Sequence, residues 1–252
     1  MTTLNLLVFI LGICVGSFLN VCIFRIPAGK SVMFPSSYCY SCGHKLGLLD
    51  LVPVLNYFYL RRKCRWCGAA FTWQYPLIEF ITGLLFLLIW HRYGYSWETL
   101  TGWVFISILI IATVIDLKHL IIPDKVTLTG LVLGLPLIAL QSWASLKMGI
   151  VALLAAGFLF WTIVVVSRGG MGGGDVKLAA LMGLYLGPVN VSIALFLAFL
   201  AGGIVAIVLL ATKLKSRKDV IPFGPYLALG GLIAFLWGSN IWHWYLGLSG
   251  LN

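Results

Sequence analysis

Charge is what this chain has least of. Seven acidic and 17 basic residues make up 10% of its 252 positions, against 61% hydrophobic ones. A soluble domain carries about 25% charged residues, so a water-exposed globule of this length is excluded. No repeat with a period of about 20–50 residues is present, which excludes a solenoid or propeller. No Lys or Arg precedes the first apolar run, and no small-residue cleavage site follows a charged segment. Residues 1–24 are therefore expected to be a retained span, not a cleaved signal peptide. The glycine-rich stretch near residue 170 lacks the G-x-x-x-x-G-K-[ST] spacing of a phosphate loop, which argues against nucleotide binding.

What is present reads as an all-α polytopic membrane protein of about eight transmembrane helices, at about 20 residues per crossing. The apolar segments run roughly over 3–24, 76–92, 98–116, 126–142, 147–166, 175–188, 189–212 and 224–247, with only Gly187-Pro188 dividing the sixth from the seventh. A net charge of +10 invites a nucleic-acid partner, but the positions of the charges argue for none. Arg25, Lys30, Lys45, Arg61, Arg62, Lys63 and Arg65 share one loop, and Lys118, Lys125, Arg168, Lys177, Lys213, Lys215, Arg217 and Lys218 fall in later loops on the same side. Only Arg92 and Lys147 lie opposite. That asymmetry places the loops cytoplasmic and both termini outside. Three regions follow: residues 1–24 as the first transmembrane helix, 25–75 as a small cytoplasmic loop domain, and 76–252 as a transmembrane domain.

The loop domain is too short to build much of a core alone, so a metal staple is expected. Cys39-x-x-Cys42 and Cys64-x-x-Cys67 are separated by 21 residues, just past the usual spacing of paired zinc knuckles. Gly43 and Gly68 supply the permissive turn after each pair. Four thiolates converging on Zn2+ make a closed, structural site. Two disulfides are the alternative, which a reducing cytoplasmic location disfavours. His44 stands beside four sufficient ligands and is expected to be a bystander. Cys14 and Cys22 sit in the first apolar run and read as small packing residues.

Two acids stand apart. Asp116 closes the run that begins at Trp103, and Asp175 follows the glycines of the stretch Arg168-Gly-Gly-Met-Gly-Gly-Gly-Asp-Val-Lys177. Outside the loop domain the chain has only Glu79, Glu98, Asp124 and Asp219 besides these two. A carboxylate at a membrane boundary is costly and marks function more often than elsewhere. Each taken singly also suits a helix cap, and Asp116 an ion pair with Lys118. If the two converge, close like charges cannot both ionise cheaply, and a pair sharing one proton results. One member then activates water while the other polarises a scissile carbonyl, the chemistry of an aspartyl protease. Gly172 and Gly174 allow a close backbone approach beside Asp175, and Lys177 is either a ligand contact or one more cytoplasmic charge. Asp124 suits an N-cap of the following helix. Glu79 is expected to pair with a basic loop residue or to serve a second site. Gly16 and Asn20 suit close helix packing with an amide bonding across it.

With these residues in view, the chain resembles the type IV prepilin peptidases, bifunctional leader peptidase/N-methyltransferases of bacterial inner membranes and aspartyl proteases of the GxGD type. The resemblance rests on Gly16-Ser-Phe-Leu-Asn-Val21 with Arg25-x-Pro27, the two CxxC pairs, Tyr75-Pro-Leu-Ile-Glu79, and Asp116-Leu followed by Ile122-Pro-Asp124. It continues through Gly172-x-Gly-Asp175-x-Lys177 and Ile221-Pro-Phe-Gly-Pro225. It implies cleavage of the basic leader of prepilins and type II secretion pseudopilins at the cytoplasmic membrane face, with catalysis on Asp116 and Asp175. It also implies methylation of the new amino terminus, usually Phe, from S-adenosylmethionine, helped by the zinc-bearing loop. No S-adenosylmethionine fingerprint stands in that loop, so the donor site is not legible. The partners implied are prepilins or pseudopilins and membrane lipid. The alternatives are a proton-coupled transporter, a docking module anchored by its spans, and a peptidase that has lost methyl transfer.

Overall fold

A computed structural model describes residues 2–39, 41–47, 50, 52–60, 62–167, 170–216 and 219–249. Arg61, Arg168, Gly169, Arg217 and Lys218, all used in the sequence reading, lie outside the described residues. The chain divides into two compact units, residues 1–95 and 96–252. The architecture is all-helical; the only extended pairings among the described residues are isolated bridges between Tyr38 and Lys45 and between Lys63 and Ala70.

The first unit pairs α1 (Thr2–Arg25) with α3 (Gln74–Tyr93), joined by an irregular segment that holds the one-turn α2 (Leu55–Tyr59). Small residues let the two long backbones meet. A Cβ on Gly16 would sit 2.7 Å from the Glu79 Cα, the packing on which membrane helices rely where lipid supplies no hydrophobic drive. Asn20 bonds across this seam, Nδ2 donating to the Tyr75 carbonyl at 3.1 Å while Oδ1 accepts from Gln74 Nε2 at 3.3 Å. At the end of α1 the buried Arg25 guanidinium donates to the carbonyls of Ser31, Pro35 and Ser36. These bonds fold the following loop back onto the end of α1.

The second unit comprises α4 (Trp97–His119), α5 (Asp124–Gln141), α6 (Trp143–Val166), α7 (Gly173–Ala211) and α8 (Gly224–Ser249). Ser96 caps α4 by accepting from the Thr99 N–H at 3.3 Å, and Ser142 caps α6 by accepting from Ser145 at 3.0 Å, the role Ser favours at a helix start. α7 packs against α6 and α8, and α4 against α5 and α8. Gly183 faces the Ala152 carbonyl and Gly230 the Ala194 carbonyl so closely that no Cβ fits at either seam. Between α5 and α7, the Tyr185 hydroxyl donates to the Gly130 carbonyl at 2.7 Å, and its ring stacks on Phe105 of α4 at 4.9 Å.

As one straight rod, α7 would reach nearly 60 Å at about 1.5 Å per residue, twice a hydrocarbon thickness of about 30 Å. It breaks at Gly187 (φ 70°, ψ 177°), just before Pro188. Proline forbids the helical hydrogen bond and pushes the residue before it to extended ψ, and glycine alone takes the positive φ freely. The result is two limbs, residues 173–186 and 188–211. Six of the described helices, α1 and α3 to α7, are long and apolar enough to cross a membrane. The sequence count of about eight takes the limbs of α7 separately and adds α8. Outward faces carry large apolar side chains such as Leu128, Val132, Leu154, Phe158, Phe196 and Ile207, as lipid-facing surfaces do.

Candidate active site and cysteine cluster

Asp116 lies in the last turn of α4, where its backbone carbonyl accepts from the N–H of Leu120, the left-handed residue (φ 55°) that ends the helix. Its side chain is buried, and Oδ2 accepts the N–H of Gly224, first residue of α8, at 2.8 Å. A helix start presents amides without internal partners, and here one is spent on a carboxylate from another helix. A Cβ at 224 would lie 2.8 Å from that same oxygen, so only glycine brings its amide so near. Asp116 therefore caps α8, a helix far along the chain.

Asp175 is the third residue of α7, one turn from the N-cap Gly172, and is also buried. Its carboxylate turns back over Gly172, where an added Cβ would stand 3.3 Å from Oδ2. Asp116 and Asp175 lie within electrostatic reach of each other. Gly174 explains how the start of α7 comes so close to the end of α4. A Cβ there would meet Ile122 Cβ at 2.8 Å and Ile122 N at 3.1 Å, in the short connection between α4 and α5. The second glycine of Gly172-x-Gly174 is a contact requirement as much as a turn requirement.

Lys177 is half-exposed and pairs with the carboxylate of Asp124, the first residue of α5. Pro123, not Asp124, holds the cap position of α5. The pair ties the starts of α5 and α7 at the rim, with Lys177 engaged by a side chain 53 residues away. The sequence reading missed the Gly224 amide, because a backbone donor has no side-chain signature; its one trace was the Pro-Phe-Gly-Pro225 stretch.

In the first unit, Cys39, Cys42, Cys64 and Cys67 present sulfurs all within 4.8 Å of one another, the first of each pair buried and the second exposed. The two knuckles are near copies. Gly43 (φ 71°) and Gly68 (φ 70°) donate their N–H groups to the carbonyls of Cys39 and Cys64 at 2.8 and 2.9 Å, and the Cys39 and Cys64 amides donate to His44 and Ala69. The set fits a metal: Zn–S bonds of about 2.3 Å in a tetrahedron place sulfurs about 3.8 Å apart, and Cys39 and Cys67 stand at 3.8 Å. His44 stacks on Trp66 with ring centroids 3.8 Å apart and is not part of the sulfur set. Burial works against ionising Cys39, but hydrogen bonds from the Cys42 and Ser41 backbone and from neighbouring thiols bring it down to about 7. At Cys67 a backbone hydrogen bond from Ala69 favours the thiolate, yet desolvation and the other three thiols push it up to about 12.

Glu79 is buried on α3, and among the described residues no basic side chain pairs with it. Its Oε2 accepts the N–H of Val54 at 2.7 Å, and Ser17 of α1 adds a side-chain hydrogen bond.

Comparison with known proteins matches both units. The model of the bacterial peptidase A24 N-terminal domain covers residues 10–93, and that of the type IV leader peptidase family covers residues 103–207, which include both aspartates. A relative from Aeromonas hydrophila, named prepilin leader peptidase/N-methyltransferase, is 34% identical over 95% of this chain and 93% of its own. The chain belongs to the type IV leader peptidase family. Relatives of the same name from Bacillus subtilis (34% identity, 96% of this chain, 98% of theirs) and Pseudomonas aeruginosa (32%, 96% and 93%) extend the match across nearly full length. No solved structure matches the chain. As a leader peptidase family member with six helices able to cross a bilayer, the chain is a multi-pass membrane protein.

Proposed function

We propose that this chain hydrolyses the leader of type IV prepilins or pseudopilins with Asp116 and Asp175, then methylates the amino terminus it has exposed. The observation that carries the peptidase half is the burial of two aspartates at the end of α4 and the start of α7, which Gly174 brings together through its contact with Ile122. In such a pair one carboxylate is ionised and takes a proton from water as its oxygen attacks the scissile carbonyl. The other gives its proton to the carbonyl oxygen. Collapse breaks the C–N bond, the proton passes to the leaving amine, and one water has been added in all. Gly172 and Gly174 keep the backbone beside Asp175 low enough for an extended substrate segment to lie against it, and Lys177 with Asp124 holds the rim.

Residues 25–75 form the loop domain that supports methyl transfer, with Zn2+ held structurally by Cys39, Cys42, Cys64 and Cys67, and residues 76–252 carry the peptidase. S-adenosylmethionine supplies a methyl group on a sulfonium. The bias of basic residues sets the catalytic aspartates at the cytoplasmic face of the inner membrane with both termini outside, and basic loops beside anionic headgroups add to that orientation. A prepilin, with an apolar helix in the bilayer and a charged leader in the cytoplasm, presents its cleavage point at that boundary. The names of the relatives from Aeromonas, Bacillus and Pseudomonas support both halves.

The test is mass spectrometry of a prepilin incubated with the purified, zinc-loaded protein and S-adenosylmethionine. Loss of the leader plus one methyl group is expected, with Asp116→Asn and Asp175→Asn inactive in cleavage. An uncut prepilin would overturn the peptidase reading; a cut but unmethylated one would confine the function to proteolysis.

A further inference from the structure

The short connection between α4 and α5, residues 120–123, touches both halves of the dyad. Asp116 stands in the last turn of α4 just before it, and Ile122 within it is the residue against which Gly174, the neighbour of Asp175, is packed. Two properties of the connection have no use in holding the fold together.

The first is its main chain. Leu120 closes α4 with its N–H on the Asp116 carbonyl, and the Pro123 carbonyl accepts the Val126 N–H as α5 begins. Between them Ile121 and Ile122 belong to no helix, and among the described residues their amides and carbonyls make no hydrogen bond. Backbone groups are strong donors and acceptors, costly to leave unpaired where water is scarce. A run of them beside open space is a template for another chain.

The second is its side chains. Leu117, Leu120 and Ile121 are 58%, 49% and 50% exposed, although the same stretch carries Lys118, His119, Asp124 and Lys125. Charges of that density mark the polar end of a helix pair, not the middle of a bilayer. Large apolar side chains exposed together and rimmed by polar residues mark an interaction site.

A peptidase substrate supplies the missing partner. A peptide bond inside a helix is closed to attack, because its carbonyl is engaged by an amide of the next turn and side chains wrap around it. Cutting at the end of an apolar helix therefore requires a few residues to unwind, and each frees an N–H and a C=O. Unpaired main-chain groups on the enzyme offset that loss.

We propose that Ile121 and Ile122 form a docking edge for the unwound main chain of the substrate, while Leu117, Leu120 and Ile121 receive the large apolar side chains beside its cleaved bond. The substrate is thereby recognised by backbone and apolar bulk, not by charge. The assignment rests on the peptidase half of the function given above, and it gives these residues a role in binding and none in the chemistry.

Photo-crosslinking and steady-state kinetics of the whole, zinc-loaded chain in nanodiscs test this. With p-benzoylphenylalanine at position 121 of the Asp175→Asn protein, in which prepilin stays uncut, light is expected to join the probe to prepilin within a few residues of the cleavage point. Adducts with lipid alone, or with a second copy of this chain alone, would overturn the docking edge. Ile121→Ala and Leu120→Gly each remove an exposed side chain, and glycine suits φ 55° at 120, so both should keep the wild-type melting temperature. Each is expected to raise KM about 10-fold, the worth of half-burying one such side chain, with kcat within about twofold of wild type, the mark of binding shared by ground and transition states. Synthetic prepilin peptides N-methylated singly around the cleaved bond read the main-chain contact. Sensitivity should alternate from one residue to the next, as pairing to a strand edge does, and a flat profile would overturn that contact. Cleavage with unchanged KM in both folded variants would overturn this site and leave the peptidase reading standing. Wild-type protein that leaves prepilin uncut would overturn both.

Discussion

The N–H of Gly224 points at Asp116 Oδ2 across 2.8 Å, joining the first residue of α8 to the last turn of α4. Helices 108 residues apart in sequence thus meet at one carboxylate, and the position of Asp116 depends on a residue that contributes no side chain. Asp116→Asn and Asp175→Asn are each expected to reduce prepilin cleavage by at least about 1,000-fold, as loss of one member of a concerted catalytic group does. Single-turnover cleavage followed by gel or mass spectrometry checks this, with retained melting temperature showing that the loss is chemical.

Gly174→Ala is expected to push the Ile122 connection away, because the new methyl would stand 2.8 Å from Ile122 Cβ. Overpacking of this kind costs about 1–3 kcal/mol, and here it separates the ends of α4 and α7 that carry the aspartates. Melting temperature and cleavage rate should fall together. A variant with wild-type values of both would show that the connection yields freely.

Lys177→Ala should do little by comparison. Its pairing with Asp124 is solvent-exposed, and pairs of that kind contribute about 0–1 kcal/mol. Cleavage within about threefold of wild type is expected on those grounds, whereas loss of activity would place the lysine on the substrate.

The cysteine cluster should hold one zinc ion per chain and release it on acidification. Neighbouring hydrogen bonds bring Cys39 down to about 7, whereas desolvation and the other thiols push Cys67 up to about 12, so protons still sit on these sulfurs when no metal is bound near neutral pH. Zinc must displace those protons, so its affinity rises with pH and falls as pH drops below about 7. Competition with a chromogenic chelator between pH 6 and pH 8 measures the slope. Cys64→Ser should cut zinc content sharply and lower the melting temperature of the chain.

Asn20→Leu removes the bond from α1 to the Tyr75 carbonyl and the acceptor for Gln74. Inter-helical bonds in membranes are worth about 0.6 kcal/mol on average and up to about 1.7. A destabilisation of about that size is expected, read by unfolding in mixed detergent.

Much of this was legible in the chain because scarcity makes signals stand out. In a sequence with seven acids, one that closes an apolar run and one that opens another draw the eye, and Gly187-Pro188 already marks the break in α7. The paired CxxC spacing led to the sulfur cluster, and the polar Asn20 among apolar neighbours led to its bond across helices. What escaped were relationships whose partners are backbone atoms. Arg25 reads as one basic residue of the first loop, and nothing in the sequence tells that its guanidinium is occupied by three carbonyls. Glu79 reads as a partner for a basic loop residue or as part of a second site, and neither reading points to the amide of Val54 that it accepts. Carbonyls and amides are the same at every position, so no residue type announces which of them a side chain will find.

The break at Gly187 leaves Asp175 at the tip of a short limb. Residues 173–186 reach only about 21 Å at 1.5 Å per residue, while a hydrocarbon layer measures about 30 Å. With its far end at one surface, the limb stops some way below the other, and a bilayer meets such a shortfall by thinning locally or admitting water. The leader peptidase dyad would then stand at the floor of a dimple in the membrane, and the thickness of the surrounding lipid would govern how deep a substrate must bend to reach it.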